Sequence, residues 1–325
     1  MTKNLKNSAL FFCTFICLFS TGNLFSQDNE INQDSSTIRS SAKKIHLGLF
    51  IGAYFANKYS ANMYDGYGFT TEGIKNDFAN SFINQQLNYY GGRSASPYST
   101  NTGTITGNDI VAQTLGVTPG QDAWSFNQSD MPYDLTYSMT YLVGFNGKYS
   151  IDKKNAIIFN INGTKLTVNG KFTIATTSTV TGSTVLNNIK QGTITGGEQR
   201  SMFQLGYQRI LGNNDKINFF VEGGLNIVIA KYIKNQVLIQ NSQPSGAPLV
   251  IDLAAIYNFP EYNYYHSKLI GVGLGLFAGF GINLTINPKY TIQVLYNPSY
   301  DKINIGDAPV YKLHNGFGLR FYYNL

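Results

Sequence analysis

The sequence predicts an all-β fold, a transmembrane antiparallel up-and-down β-barrel of eight strands. Three observations carry this. From Lys43 onward the dominant hydrophobic period is two, not 3.6. Charged residues are only 13% of the 325 and aromatic ones reach 14%, where a typical soluble domain is about 25% charged; such a surface suits lipid better than water. Finally, tight turns alternate with long gaps, the pattern of a barrel whose hairpins are short on one side of a membrane and long on the other. A mean hydropathy of −0.14 argues against a helical membrane protein, which needs runs of about 20 apolar residues.

The one long apolar run comes first. Lys3 and Lys6, an apolar stretch from Ala9 to Phe19, and then small and polar residues make the three-part pattern of a secretory signal over 1–26. Cys13 and Cys17 both fall inside it, so the mature chain is expected to have no disulfide and no thiolate chemistry. Removing the two lysines lowers the formal net charge from +6 to +4. No dense Lys/Arg cluster points to nucleic acid. Residues 27–42 are polar and read as a flexible N-terminal segment in the periplasm, ahead of a barrel over 43–325.

Eight alternating segments follow. In "IHLGLFIGAYF", Ile45, Leu47, Leu49, Ile51, Ala53 and Phe55 share one face. In "DLTYSMTYLVGFNGKYSI", Tyr141, Val143, Phe145 and Tyr149 alternate with Thr140, Gly144, Asn146 and Lys148. Ile157, Phe159 and Ile161 oppose Asn160 and Asn162. Phe203, Leu205 and Tyr207 oppose Arg200, Gln204 and Gln208. Ile217, Phe219, Val221, Leu225 and Ile227 oppose Asn218, Glu222 and Asn226. A row of five glycines from Gly271 to Gly281 opposes Ile270, Val272, Leu274, Leu276, Phe280 and Ile282. Tyr290, Ile292 and Val294 oppose Thr291 and Gln293, and "YKLHNGFGLRFYYNL" closes the set. Most are long enough for the 9–11 residues of a membrane strand. An even count closes without an edge that lipid would not tolerate.

Tight turns fall at 152–155, 212–216 and 287–289, and long gaps at about 59–133, 173–197, 234–266 and 298–310. "NQVLIQ" and "PLVIDLAAIYNF" could add a further pair and make ten strands. Pro244, Pro248 and Pro260 favour reading them as extension and cover instead. The Thr-rich 173–197 stretch reads as a hairpin prolonging its strands beyond the membrane. In the large first loop, near-helical spacing predicts a surface helix around 71–88 and a second short one in "GNDIVAQTLG", capped by Asn108 or Asp109. The loop is rich in Tyr, Asn, Ser and Gly, a composition suited to adaptable surface contacts; a lid over the barrel mouth is the equal alternative.

Chemistry has little to stand on. His46, His266 and His314 are the three histidines. His46 and His314 point inward from the first and last strands, so either a metal or acid–base pair, or simple hydrogen bonding in the lumen, stays open. No Ser/His/Asp constellation or phosphate loop stands at recognisable spacing; no catalytic residue, metal or cofactor is expected. Glu222 and Arg320 face inward at similar depth, with Lys148 a little lower, and they predict an ion cluster across a lumen that an eight-stranded barrel about fills.

The signal, the eight segments, the tight turns and the C-terminal alternation resemble small bacterial outer-membrane β-barrel proteins of the OmpA/OmpX-like class. The resemblance implies a Gram-negative outer membrane with periplasmic termini, contact with its lipid, and passage through the barrel-assembly machinery. The alternating Phe317, Leu319, Phe321, Tyr323 and Leu325 resemble the family's C-terminal assembly signal, although the usual last residue is aromatic. Fold does not choose function here. The expectation is a non-enzymatic surface-binding protein, or an accessory subunit of an envelope complex met through the extracellular loops. A small porin-like channel is the alternative, and an outer-membrane enzyme a more distant one.

Overall fold

The computed structural model describes residues 45–68, 74–93, 108–179, 185–253, 270–303, 305 and 311–325. The expected signal, the segment at 27–42 and His266 lie outside these residues. The strands are β1 (Ile45–Phe55), β2 (Trp124–Ser125), β3 (Tyr133–Tyr137), β4 (Thr140–Ser150), β5 (Asn155–Thr179), β6 (Val185–Leu211), β7 (Ile217–Ile239), β8 (Leu249–Asp252), β9 (Ile270–Asn287), β10 (Tyr290–Tyr296), β11 (Ser299–Lys302) and β12 (Tyr311–Asn324).

Eight staves close into a ring, each antiparallel to the next. The order is β1, β4, β5, β6, β7, β9, then β10 with β11 as one stave, then β12 back to β1. The seam runs from His46 opposite Asn324 to Phe55 opposite Asn315. At Asn297–Pro298, between β10 and β11, the wall stays stitched because Asn297 and Gly316 exchange backbone bonds of 2.7 and 3.1 Å. β2 and β3 add to β5, and β8 adds to β7, so the described parts of the segments considered as a ninth and tenth strand lie in the upper end of β7 and in an extension beside it rather than as further staves of the ring.

Each tight turn is closed by an Asp or Asn side chain accepting from the backbone two or three residues on, the local bonding that makes these residues turn formers. Asp152 accepts from Lys154 and Asn155 at 2.7 and 2.8 Å. Asn214 accepts from Lys216, and Asn287 from Lys289 and Tyr290, all at 2.9 Å.

The ring's outer face is a belt of exposed apolar side chains, including Leu47, Phe145, Phe159, Leu205, Leu225, Leu274, Val294 and Phe321. Its inner face is polar and buried: Asn146, Asn162, Gln204, Gln208, Asn226, Asn283 and Gln293. On β5, β6 and β7 this pattern reverses toward the long-loop end. Along the inner face of β5, Asn160, Asn162 and Thr164 give way to Leu166, Val168, Phe172 and Ile174, all buried. Along its outer face, Ile157, Phe159 and Ile161 give way to Lys165, Thr167, Asn169 and Lys171, all exposed. The reversal marks where lipid stops and water begins.

Beyond it the sheet carries a cap with its own core. Helix α1 (Phe82–Tyr90) and the one-and-a-half-turn helix α2 (Ile110–Leu115) set Ile83, Leu87, Val111 and Leu115 against Trp124, Phe126, Phe172, Ile174, Ile194, Val237 and Ile239. The helix expected around 71–88 starts later, at Ser81, whose hydroxyl accepts from the Asn84 amide. Asp77 holds a tight turn just before it by accepting from the Asn80 amide at 2.9 Å; that local bond wins over the apolar spacing of Ile74 and Phe78. Helix α2 is capped by Asp109 and ended by Gly116 at φ 75°, as its sequence signals indicate. The described part of the first loop packs as a lid.

Candidate functional site: a charged lumen under a packed cap

Two buried ion clusters sit one above the other. In the lower, Arg320 on β12 and Glu222 on β7 meet across the barrel. Arg320 Nη1 donates to Glu222 Oε2 and Nη2 to Oε1, both at 2.7 Å. This is a two-pronged pairing that fixes both side chains. Gln208, opposite Glu222 on β6, donates to Oε2 at 2.9 Å, and Gln293, opposite Arg320 on β10, donates to Asn283 at 2.9 Å.

Glycine makes the room. A Cβ at Gly279, the partner of Glu222 on β9, would come within 2.6 Å of the Glu222 side chain. A Cβ at Gly318 would strike the Phe50 ring at 2.5 Å. At Gly279 the glycine leaves no hole, because the Glu222 side chain lies over it. Lys148 does not complete an ion triad: its ammonium stands over the Tyr322 ring at 4.9 Å. The physical reason is repulsion, since Arg320 already satisfies both oxygens of Glu222 and a second cation there would face the first.

The upper cluster lies under the cap. Glu198 and Arg200, two apart on β6, both point inward and are wholly buried. Arg200 Nε donates to Glu198 Oε1 at 2.5 Å. The 3₁₀ helix Lys58–Tyr64 descends onto this pair. Tyr64 donates its hydroxyl to Glu198 Oε2 at 2.8 Å, Tyr137 on β3 does so at 3.2 Å, and Arg200 Nη2 donates to Ser60 at 3.3 Å. The Tyr64 ring stacks on Tyr232 at 5.6 Å. Burial, and then the adjacent Glu198 charge, push the Tyr64 hydroxyl well above its ordinary value and raise Tyr137 for the same two reasons, so both remain donors. Next to the plug, burial raises the Asp65 carboxyl while Lys75, at 2.5 Å, pulls it back.

The two inward histidines are on neighbouring strands but at opposite ends, because β1 and β12 are antiparallel. His46 bonds Asn324 at 2.6 Å and Ser150 at 2.8 Å near the short-turn end. His314 Nδ1 accepts from the Asn57 amide at 3.1 Å, near Arg200 at 3.3 Å. They cannot form a pair. Among the described residues no group of three or more His, Cys, Asp or Glu is placed to hold a metal. Phe317, Leu319, Phe321, Tyr323 and Leu325 all lie exposed on the outer belt. Sequence reasoning did not single out Glu198 as Arg200's partner. The available signal was an acid and a base two apart on one strand face.

A closed antiparallel ring, an apolar outer belt and a buried polar interior are the architecture of a small transmembrane β-barrel. No protein-family model matches the chain, and no curated protein matches it. Among solved structures it is similar to the outer membrane protein OprG from Pseudomonas aeruginosa, with 8% identity over 87% of this chain and 97% of that one and a TM-score of 0.37. It is also similar to Neisserial surface protein A, with 8% identity over 59% and 91% and a TM-score of 0.30. A third is Ail, the attachment invasion locus protein of Yersinia pestis, with 9% identity over 86% and 97% and a TM-score of 0.28. At these identities they are likenesses of fold alone.

Proposed function

We propose that the protein is a non-enzymatic outer-membrane barrel that works through its cap. In this reading the long-loop end faces the exterior and both termini face the periplasm. The cap then presents a surface to an external ligand or to another envelope protein, as a surface-binding protein or as an accessory subunit of an assembly, secretion or transport complex. The observation that carries the reading is the second hydrophobic core. A loop that only closed a barrel would need the Tyr64 plug; this chain also builds helices, short strands and a sheet extension around Trp124, Phe126 and Phe172. That makes a rigid platform, which lowers the ordering cost of binding.

The filled interior supports a plug over a pore. Planar-bilayer recordings of the wild type and of Glu222→Gln are expected to be silent; steady conductance altered by the substitution would favour a channel. The reading itself is tested by gentle detergent extraction from native membranes and mass spectrometry of co-purifying proteins. A partner retained by the wild type and lost when the cap surface is substituted is the expected result. A clean monomer with no phenotype on cap deletion would count against it. The outward C-terminal residues belong to the same reading as the assembly signal. Tyr323 pairs with Leu47, and the Leu325 amide donates to the Ile45 carbonyl at 3.0 Å. Removing Tyr323–Leu325 is expected to abolish outer-membrane insertion, and normal levels of truncated protein there would refute this.

A further inference from the structure

The reversal of the outer face on β5–β7 occurs at one row of residues. Lys165 on β5 pairs with Gln199 on β6, and Gln199 with Lys231 on β7; all three are exposed. One outward step toward the short-turn end stand Gly163, Ser201 and Ile229, and one further step Ile161, Phe203 and Ile227. Three outward positions the other way along β5 stands Lys171, also exposed. Between 164–179, 185–200 and 230–239 the only carboxylate is Glu198, which is fully buried on the opposite face. Nothing acidic on these strand segments neutralises the row from its own side.

Two strand spacings place Lys165 and Lys231 about 10 Å apart. The row lies at the rim of the apolar belt, the height of the bilayer's headgroup layer. Each lysine can lay its methylenes along the belt and hold its ammonium among the headgroups, while the Gln199 amide offers a neutral donor between them. We propose that Lys165, Gln199 and Lys231 form a docking row for the phosphate groups of anionic lipid headgroups in the leaflet at the long-loop end. It rests on the membrane-spanning reading of the belt.

The probe is diphosphoryl lipid A, titrated into the detergent-solubilised full chain and followed by native mass spectrometry. Lys165→Gln with Lys231→Gln is expected to weaken its binding about 30-fold, the effect of losing two lysines near a charged lipid surface. Dephosphorylated lipid A is expected to bind both proteins equally and weakly. The charge-matched control Lys153→Gln with Lys154→Gln, on the far tight turn, is expected to bind as the wild type. Equal binding by the row variant, no preference for the phosphorylated lipid, equal loss in the control, or displacement of the lipid by millimolar inorganic phosphate would each overturn the proposal. Heat-modifiable mobility on gels, in zwitterionic vesicles, reports separately whether each protein folds as a barrel.

Discussion

The two halves of β5, β6 and β7 share strands and a sheet, with one register shift at Gly197/Glu198, yet they obey opposite rules. Toward the tight turns, Phe159, Leu205 and Leu225 face out while Asn162, Gln204 and Glu222 face in. Toward the loops, Lys165, Asn169 and Lys231 face out while Phe172, Ile194 and Val237 face in. The backbone cannot tell the halves apart. What differs is the surrounding solvent. In lipid the outer face must be apolar, and a narrow interior holds its charges by pairing them, as Arg320 pairs with Glu222. In water the sheet buries apolar side chains against helices, as any soluble α+β domain does.

The largest expected way to break the lower half is Glu222→Ala. It leaves the Arg320 guanidinium in a dry interior and should cost about 3–5 kcal/mol, read as a lower midpoint in denaturant unfolding from vesicles. Glu222→Leu combined with Arg320→Met should recover most of that loss; if it does not, the pair does more than fill the lumen.

The upper half breaks differently. Phe172→Ala removes a wholly buried ring and should cost the cap about 3–5 kcal/mol. Limited proteolysis should then cut the first loop while the barrel keeps its heat-modifiable mobility. Simultaneous loss of both would mean that cap and barrel fold as one unit.

A paired substitution sharpens the boundary. Leu225→Arg, on the exposed belt of β7, should destabilise the inserted protein by about 2–4 kcal/mol. Thr167→Arg, on the exposed outer face of the upper half of β5, should change stability by less than about 0.5 kcal/mol. Comparable costs would put the boundary elsewhere. A smaller effect than in either half's core belongs to the join between the halves. Tyr64→Phe removes one donor from buried Glu198 and should cost about 1–3 kcal/mol, read as faster amide hydrogen exchange across Lys58–Tyr64.

Much of this fold was legible because lipid imposes a rule that one strand reports alone. Apolar residues at every second position identify each stave without knowledge of its neighbours. The tight turns were equally local, since Asp152, Asn214 and Asn287 bond to residues two or three away. The cap was less legible. Ile74 and Phe78 are spaced as a helix face would be, yet the Asp77 turn ends that pattern before Ser81 begins α1. The polarity reversal was present in the alternation of β5, but it becomes a boundary only once Lys165, Gln199 and Lys231 are seen in one row. The site was the least legible. Inward-facing charges could be placed by parity, but Lys148 has the same parity as Arg320 and sits on a tyrosine ring instead.

The sequence by itself determined the period, the tight turns and which side of each strand meets lipid, and favoured eight staves over ten. These depend on neighbours two to four residues apart and on the solvent outside. Only the tertiary structure decided that Lys148 stands on the Tyr322 ring outside the Glu222–Arg320 pair, that Tyr64 plugs the mouth onto Glu198, and that His46 and His314 stand at opposite ends. Those outcomes depend on closure. Antiparallel pairing of β1 with β12 sets which residues share a depth, and a charge buried at that depth must bond to whichever group the ring carries there.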